Sequence, residues 1–399
     1  MNQRRSFFKN TLGLALGASA ALSGASANEL TSRIKSKTAN KYEFYGTHQQ
    51  GIATPAQKFI YFLVLDLHET EPKKISEIFK LWTAQSANLI EGKNIEKYGS
   101  NAFLPPVDTG EADSLEHANL TLTFGVSASF FDKLGLKNKP SKLADLPHFP
   151  RDQLKEQFVG GDICIQACAD DPQVAFHAAR NLLRTARTSL SPKWSQMGFN
   201  SFMGSDTPRN LFAFKDGTIN PKKTELDKEV WIKGGVFDNG SYLITRRVVM
   251  HLETWDRTHL KAQNETFGRQ RASGAPFGKT SEFDEIELSG DNAAPDTSHT
   301  FLAKSAGTQI LRRSYSYASG VNERGSLDAG LLFISFQRDP AQFIAIQSAL
   351  GLEDKMNEYI TNIGSGVFAC FGGVSRDKND YIGKRLFSSG ILNFKLEFL

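Results

Sequence analysis

The sequence predicts an α+β fold of two ferredoxin-like units, each an antiparallel sheet with flanking helices. Three observations carry this. Strand-like and helical segments follow one another as strand–helix–strand in the first half, and the same order recurs in the second. The third is composition: 399 residues, 40% hydrophobic and 23% charged, with 33 Gly and 14 Pro. That is enough chain for one large core or two medium ones, and it excludes disordered, collagen-like and coiled-coil classes.

The chain opens on an address. Arg4-Arg5-Ser6-Phe7-Phe8-Lys9 is a twin-arginine pattern, followed by a mildly apolar stretch from Leu12 to Leu22 and the small residues Ala25-Ser26-Ala27. The stretch is too short to span a bilayer, which takes about 20 apolar residues. Residues 1–27 therefore read as a cleaved twin-arginine signal peptide, with the Tat translocase as partner during export and a periplasmic or other extracytoplasmic destination. That route carries folded proteins, often ones loaded with a cofactor beforehand.

In the first unit, residues 28–205, Phe59–Leu65 is a continuous apolar strand. Lys73–Gly92 has helical spacing, with Ile75, Ile78, Phe79, Trp82 and Leu89 on one stripe and Ser86 its only polar gap. Leu120–Phe124 alternates as a second strand. Asp162–Cys168 is a third, with Ile163, Ile165 and Ala167 on one face and Cys164 and Cys168 on the other. Asp171-Pro172 then caps and opens a helix to about Ser189. In the second unit, residues 206–399, Tyr242–Leu252 is a strand, Arg257–Phe267 a helix, and Gln309–Tyr317 and Leu327–Phe336 strands. Pro340–Leu350 is a helix and Val367–Phe371 the last strand. Two stretches without periodicity, Ser191–Lys223 and Asp284–Thr308, read as long loops of the kind that carry function.

Net charge is +4, from 47 Lys and Arg against 43 Asp and Glu. Removing Arg4, Arg5 and Lys9 leaves a nearly neutral body, which argues against a nucleic-acid partner. Cys164 and Cys168 stand about 13 Å apart along a strand, too far for a disulfide. No Walker loop, dinucleotide fingerprint, His-Glu-x-x-His or Cys-x-x-Cys-His occurs, and no later segment is apolar enough to cross a membrane.

Taken singly, Asp216-Gly217 reads as a turn, His299 as a structural histidine and Arg312-Arg313 as surface residues on a strand. Together they carry a resemblance. The quotable segments are Tyr45–Ile52, Gly160–Gln166, Phe214-Lys215-Asp216-Gly217-Thr218, Glu253–Arg257, Gly268-Arg269 with Gly274-Ala275-Pro276, Leu311–Tyr317 and Asp328–Phe333. In these the chain resembles the dye-decolourising peroxidases, and within them the twin-arginine-exported branch that includes the deferrochelatase/peroxidase of iron uptake.

The resemblance implies a duplicated ferredoxin-like fold with one non-covalently held haem b per chain in the C-terminal unit. It implies hydrogen peroxide as oxidant and an organic electron donor that the sequence does not identify. His299 matches the axial ligand of the haem iron, Asp216 the acid–base residue of the open face, and Arg312 the cation beside it. Arg269 is a candidate partner for a haem propionate, and Gly217, Thr218 and Ile219 accompany Asp216 in the cofactor-binding segment. A carboxylate on the second nitrogen of His299 would raise its electron donation; Asp284, Asp291, Asp296 and Asp328 are unranked candidates. If the pleat is regular, Arg313 points away from Arg312. Two departures stand out. Ala213 occupies the place where the family's Gly-x-x-Asp-Gly motif begins. The His299–Arg312 interval is short, and it has no counterpart of an Asn-Pro-Arg stretch associated with the iron-uptake branch. Alternative functions are release of iron from haem with the porphyrin intact, and haem carriage without turnover. Oligomeric state is left open, a homo-oligomer included.

Overall fold

The computed structural model describes residues 41–201, 207–216 and 219–388. The signal-peptide segment 1–27, the expected boundary at 205–206 and the site candidates Gly217 and Thr218 lie outside the described residues. Nine strands occur among those described: β1 (Phe59–Leu67), β2 (Thr121–Val126), β3 (Ile163–Ala169), β4 (Leu190–Phe199), β5 (Ser241–Met250), β6 (Leu311–Arg312), β7 (Tyr315–Val321), β8 (Leu327–Gln337) and β9 (Ile360–Cys370). The principal helices are α1 (Pro72–Ile90), α2 (Ala128–Leu134), α3 (Pro172–Ala186), α4 (Leu226–Glu229), α5 (Leu252–Asp256), α6 (Leu260–Phe267), α7 (His299–Ser305) and α8 (Pro340–Leu350).

Pairing reproduces one pattern twice. In the first unit the antiparallel order is β4-β1-β3-β2. In the second it is β9-β5-β8-β7, with the two-residue β6 added on β8. Both read fourth–first–third–second, the ferredoxin-like order the alternation of elements predicts. The two sheets are not separate, however. β2 pairs with β9 through Gly125–Cys370 and Val126–Ala369, and β4 pairs with β7 through Phe199–Ser316. Eight strands thus close into a ring, and closure removes the sheet edges that two separate units would each have to protect.

Strand alternation divides the core. Ile60, Phe62 and Val64 of β1 face the ring interior with Cys164, Cys168, Tyr315, Tyr317, Ile334, Phe336 and Cys370. Leu63, Leu65 and Leu67 face outward, under a layer that includes Phe79 and Trp82 of α1 and Ala178 and Leu182 of α3. The predicted α1 stripe is the buried one, including Ser86, with Ile78 only partly buried. Asp171 caps α3 by accepting from the amides of Gln173 and Val174, and Asp339 with Gln342 forms a capping box on α8. The three cysteines are buried free thiols.

Four expectations are corrected. Ser191–Lys223 is not all loop, because β4 occupies Leu190–Phe199. Its inward positions include Gln196 and Gly198, so the hydrophobic alternation that marks a strand is missing. Pro192 sits where the β1–β4 register shifts, a place where proline is tolerated. Gln309–Tyr317 is not continuous; Arg313 and Ser314 interrupt it between β6 and β7. The last strand begins at Ile360, seven positions before Val367, since Gly364 and Gly366 disguise its start. A Cβ at Gly364 would stand 2.9 Å from that of Arg247 and 3.0 Å from that of Phe158. Finally, the stretch Asp284–Thr308 contains α7, whose first residue is His299.

Candidate active site

Asp216 ends a loop built on aromatic packing. Phe214 stacks on Phe267 with centroids 3.9 Å apart and planes at 5°, and Phe212 lies 4.4 Å from Trp255. Asn210 closes the loop: its side-chain oxygen accepts from the amides of Phe212 and Phe214, and its own amide donates to the Phe214 carbonyl. Between them Ala213 takes a left-handed φ of 66°, the conformation that favours glycine. The family's motif glycine therefore has a backbone reason, and this chain meets the same turn with alanine at a cost in strain. Arg209 pins the loop by donating to the carbonyls of Ala213, Arg271 and Ala272.

The Asp216 amide donates to the Pro208 carbonyl, and Arg312 Nη1 donates to Asp216 Oδ1 at 3.1 Å. Both side chains are about a quarter exposed, at 26% and 23%, so the pair is open to a small molecule. Asn220 fixes Arg312 from both sides, donating to its carbonyl and accepting from its amide, each at 3.0 Å. Arg312 Nη2 reaches toward the Ile219 carbonyl at 3.5 Å, while the Ile219 side chain is exposed. The β6–β8 and β7–β8 pairings keep one register across the break, and the Arg313 guanidinium binds the Thr54–Gln57 segment instead of Asp216. It is buried and donates to the carbonyls of Thr54 and Pro55 and to Gln57 Oε1. A cavity of about 190 Å³ opens on this side, lined by Asp216, Arg312, Asn200, Asn220 and Ser314 among others. His299 is not in its lining.

His299, at the start of α7, is oriented by a carboxylate that sequence reasoning missed. Its Nδ1 lies 2.7 Å from Oδ2 of Asp354. A carboxylate only accepts, so Nδ1 carries a proton, and in the neutral imidazole Nε2 keeps its lone pair. Nε2 has no hydrogen-bond partner among the described residues, and the side chain is 32% exposed. Asp354 is itself fixed, because Oδ1 accepts from the Met356 amide as the cap of the turn Lys355–Glu358. The four acids considered from sequence do other things. Asp328 pairs with Arg247, Asp284 caps a turn at Thr280–Ser281, and Asp291 and Asp296 are exposed. Burial disfavours a charged His299, but Asp354 outweighs it and the pKa rises above the ordinary 6.5; Arg312 pushes it down and Asp216 up. The charges of Arg312 and Asp216 are thus felt at His299.

Arg269 is buried at 4% exposure. Nη1 donates to the carbonyls of Gly274 and Glu282, whereas Nε and Nη2 have no partner among the described residues. Burial and the neighbouring Arg312, partly offset by Glu282, bring its pKa down to about 10. A buried guanidinium with two idle donors is a half-built anion site. An imidazole with a committed Nδ1 and an idle Nε2 is a ready axial ligand. On both counts the residues present fit a haem with its carboxylates.

Comparison with known proteins agrees with this fold. Residues 49–200 match the family described as "Dyp-type peroxidase, N-terminal" and residues 207–375 "Dyp-type peroxidase, C-terminal". A deferrochelatase of Yersinia pestis is 37% identical over 371 residues, covering 87% of this chain and 85% of its own. A deferrochelatase of Escherichia coli O157:H7 is 35% identical over 410 residues, covering 96% of each. Ferric DtpA from Streptomyces lividans superposes with a TM-score of 0.81 at 33% identity, over 88% of this chain and 98% of its own. A DyP-type peroxidase from Streptomyces coelicolor gives 0.81 and 33% over 88% and 97%. The chain belongs to the Dyp-type peroxidases, haem oxidoreductases that act on peroxide.

Proposed function

We propose that this peroxidase works with one non-covalently held haem b per chain, with His299 as the residue that would hold its iron and Asp216 and Arg312 as the groups that activate hydrogen peroxide. The carrying observation is the His299–Asp354 contact of 2.7 Å, which commits Nδ1 and leaves Nε2 idle. The haem iron, when bound, supplies the site that peroxide occupies and the electrons its O–O bond takes up. Asp216 accepts a proton from one peroxide oxygen and delivers it to the other, which departs as water. Arg312 holds positive charge where negative charge builds as the bond lengthens. The two idle donors of Arg269 support a propionate partner there, and the absence of Cys-x-x-Cys-His supports a non-covalent mode. Purified protein is expected to show a strong Soret band, and His299→Ala to lose it or bind haem weakly. Wild-type haem content in that variant would remove His299 as the ligand.

A second reading, favoured by the names of the relatives at 35–37% identity, is release of iron from haem with the porphyrin left intact. It uses the same site, and iron-free porphyrin as a product would support it. Export belongs to the proposal too. Arg4-Arg5 and Ala25-Ser26-Ala27 support twin-arginine transport to the periplasm, with a mature protein beginning at Asn28. Sequencing the exported protein checks this, and a start far from Asn28 contradicts it.

A further inference from the structure

The loop that carries Asp216 is fastened by a buried carboxylate that the reaction does not use. Glu282 is 7% exposed. Its Oε1 accepts from Thr207 Oγ1 at 3.0 Å, and its Oε2 stands 3.0 Å from Lys215 Nζ. Thr207 and Lys215 are the two ends of that loop, and Lys215 is the residue before Asp216. Gly274, with φ at +76°, leaves the room for this contact: a Cβ there would sit 2.8 Å from Lys215 Cδ and 3.2 Å from Glu282 Cβ. The backbones of the same two residues hold Arg269, whose Nη1 donates to Gly274 O at 2.7 Å and Glu282 O at 2.8 Å. One residue is therefore tied by its side chain to the Asp216 loop and by its backbone to Arg269.

Burying a carboxylate costs several kcal/mol before pairing, and apolar packing closes a loop as well or better. An ion pair adds direction: it fixes where Lys215, and hence the neighbouring Asp216, can stand. We propose that Glu282 is a positioning residue that acts through Lys215 and Thr207 to hold Asp216 in register with Arg312. This rests on the reading that Asp216 moves the peroxide proton.

The test uses the haem-loaded protein. Glu282→Gln keeps the size and the acceptor for Thr207 but removes the charge facing Lys215. Hydrogen–deuterium exchange in residues 208–216 is expected to rise about tenfold or more. The absorbance change after mixing with hydrogen peroxide is expected to slow about 10- to 100-fold, the scale of a small misplacement, with the resting haem spectrum unchanged. In an Asp216→Asn background the same substitution should add no more than about twofold, since both act through one carboxylate. Thr207→Val, which leaves no charge unpaired, should loosen the same segment and guards against a Glu282 variant that does not fold. Unchanged exchange at 208–216 in both variants, or a full additional loss of rate on Asp216→Asn, overturns the proposal. Wild-type speed in Asp216→Asn alone would overturn the proton role itself. The exchange data, which do not depend on that role, tell that failure apart.

Discussion

Ala213 shows how far single residues were legible. The Asp216–Arg312 pair and His299 could be picked from motif context, and the place of Ala213 in the motif raised the question of an unusual backbone angle. The left-handed φ of 66° answers it. Ala213→Gly should relieve strain of about 1 kcal/mol, reduced somewhat by the greater freedom of unfolded glycine. A higher unfolding midpoint with unchanged peroxide kinetics is the expected result, measured by thermal melts of the haem-loaded protein. Asp354 was not legible, because it lies 55 residues beyond His299 and its local appearance is that of a turn cap. The acids considered were near in sequence or within a motif, and proximity along the chain says little about which carboxylate a fold delivers.

Whole elements were readable where one face is uniformly apolar and hidden where close packing demands small or polar residues. β4 illustrates the second case. A Cβ at Gly198 would meet the Tyr315 Cβ at 2.7 Å and Ile60 Cγ2 at 2.9 Å, so the join to β7 requires the residue that weakens a strand pattern. Polar anchoring between elements was equally invisible. Asp108 is buried between the segment after α1 and α3: it accepts from the amides of Ile95 and Gly110 and from Nε2 of His177. Burial works against its charge, but these donors prevail and its pKa falls below the ordinary value. A depressed carboxylate pKa stabilises the fold fully above the unfolded value of about 3.9 and loses that contribution as pH falls through the folded value. Asp108→Asn should therefore lower the melting temperature at pH 7 and flatten its dependence on pH below about 4. An unchanged acid limb in the variant would remove Asp108 from the acid response.

At the scale of the molecule, duplication was legible and closure was not. Each half announced its own strand–helix–strand order, but the joins rest on two residue pairs between β2 and β9 and one between β4 and β7. Pairings that short leave no mark on periodicity. Closure matters for function because Arg313 and Ser314, at the break beside β7, line the same cavity as Asp216 and Arg312. The ring thus sets the strand that presents Arg312, and the aromatic cluster under Phe212 and Phe214 sets the loop that presents Asp216. The central claim is that these two elements meet to break the O–O bond of hydrogen peroxide. Its most direct test is rapid mixing of haem-loaded Arg312→Leu protein with peroxide, followed by visible absorbance. The account predicts an unchanged resting spectrum and a reaction slowed by about 100-fold or more, the cost of losing one preorganised electrostatic donor. A rate within about twofold of wild type, far short of that cost, would contradict it.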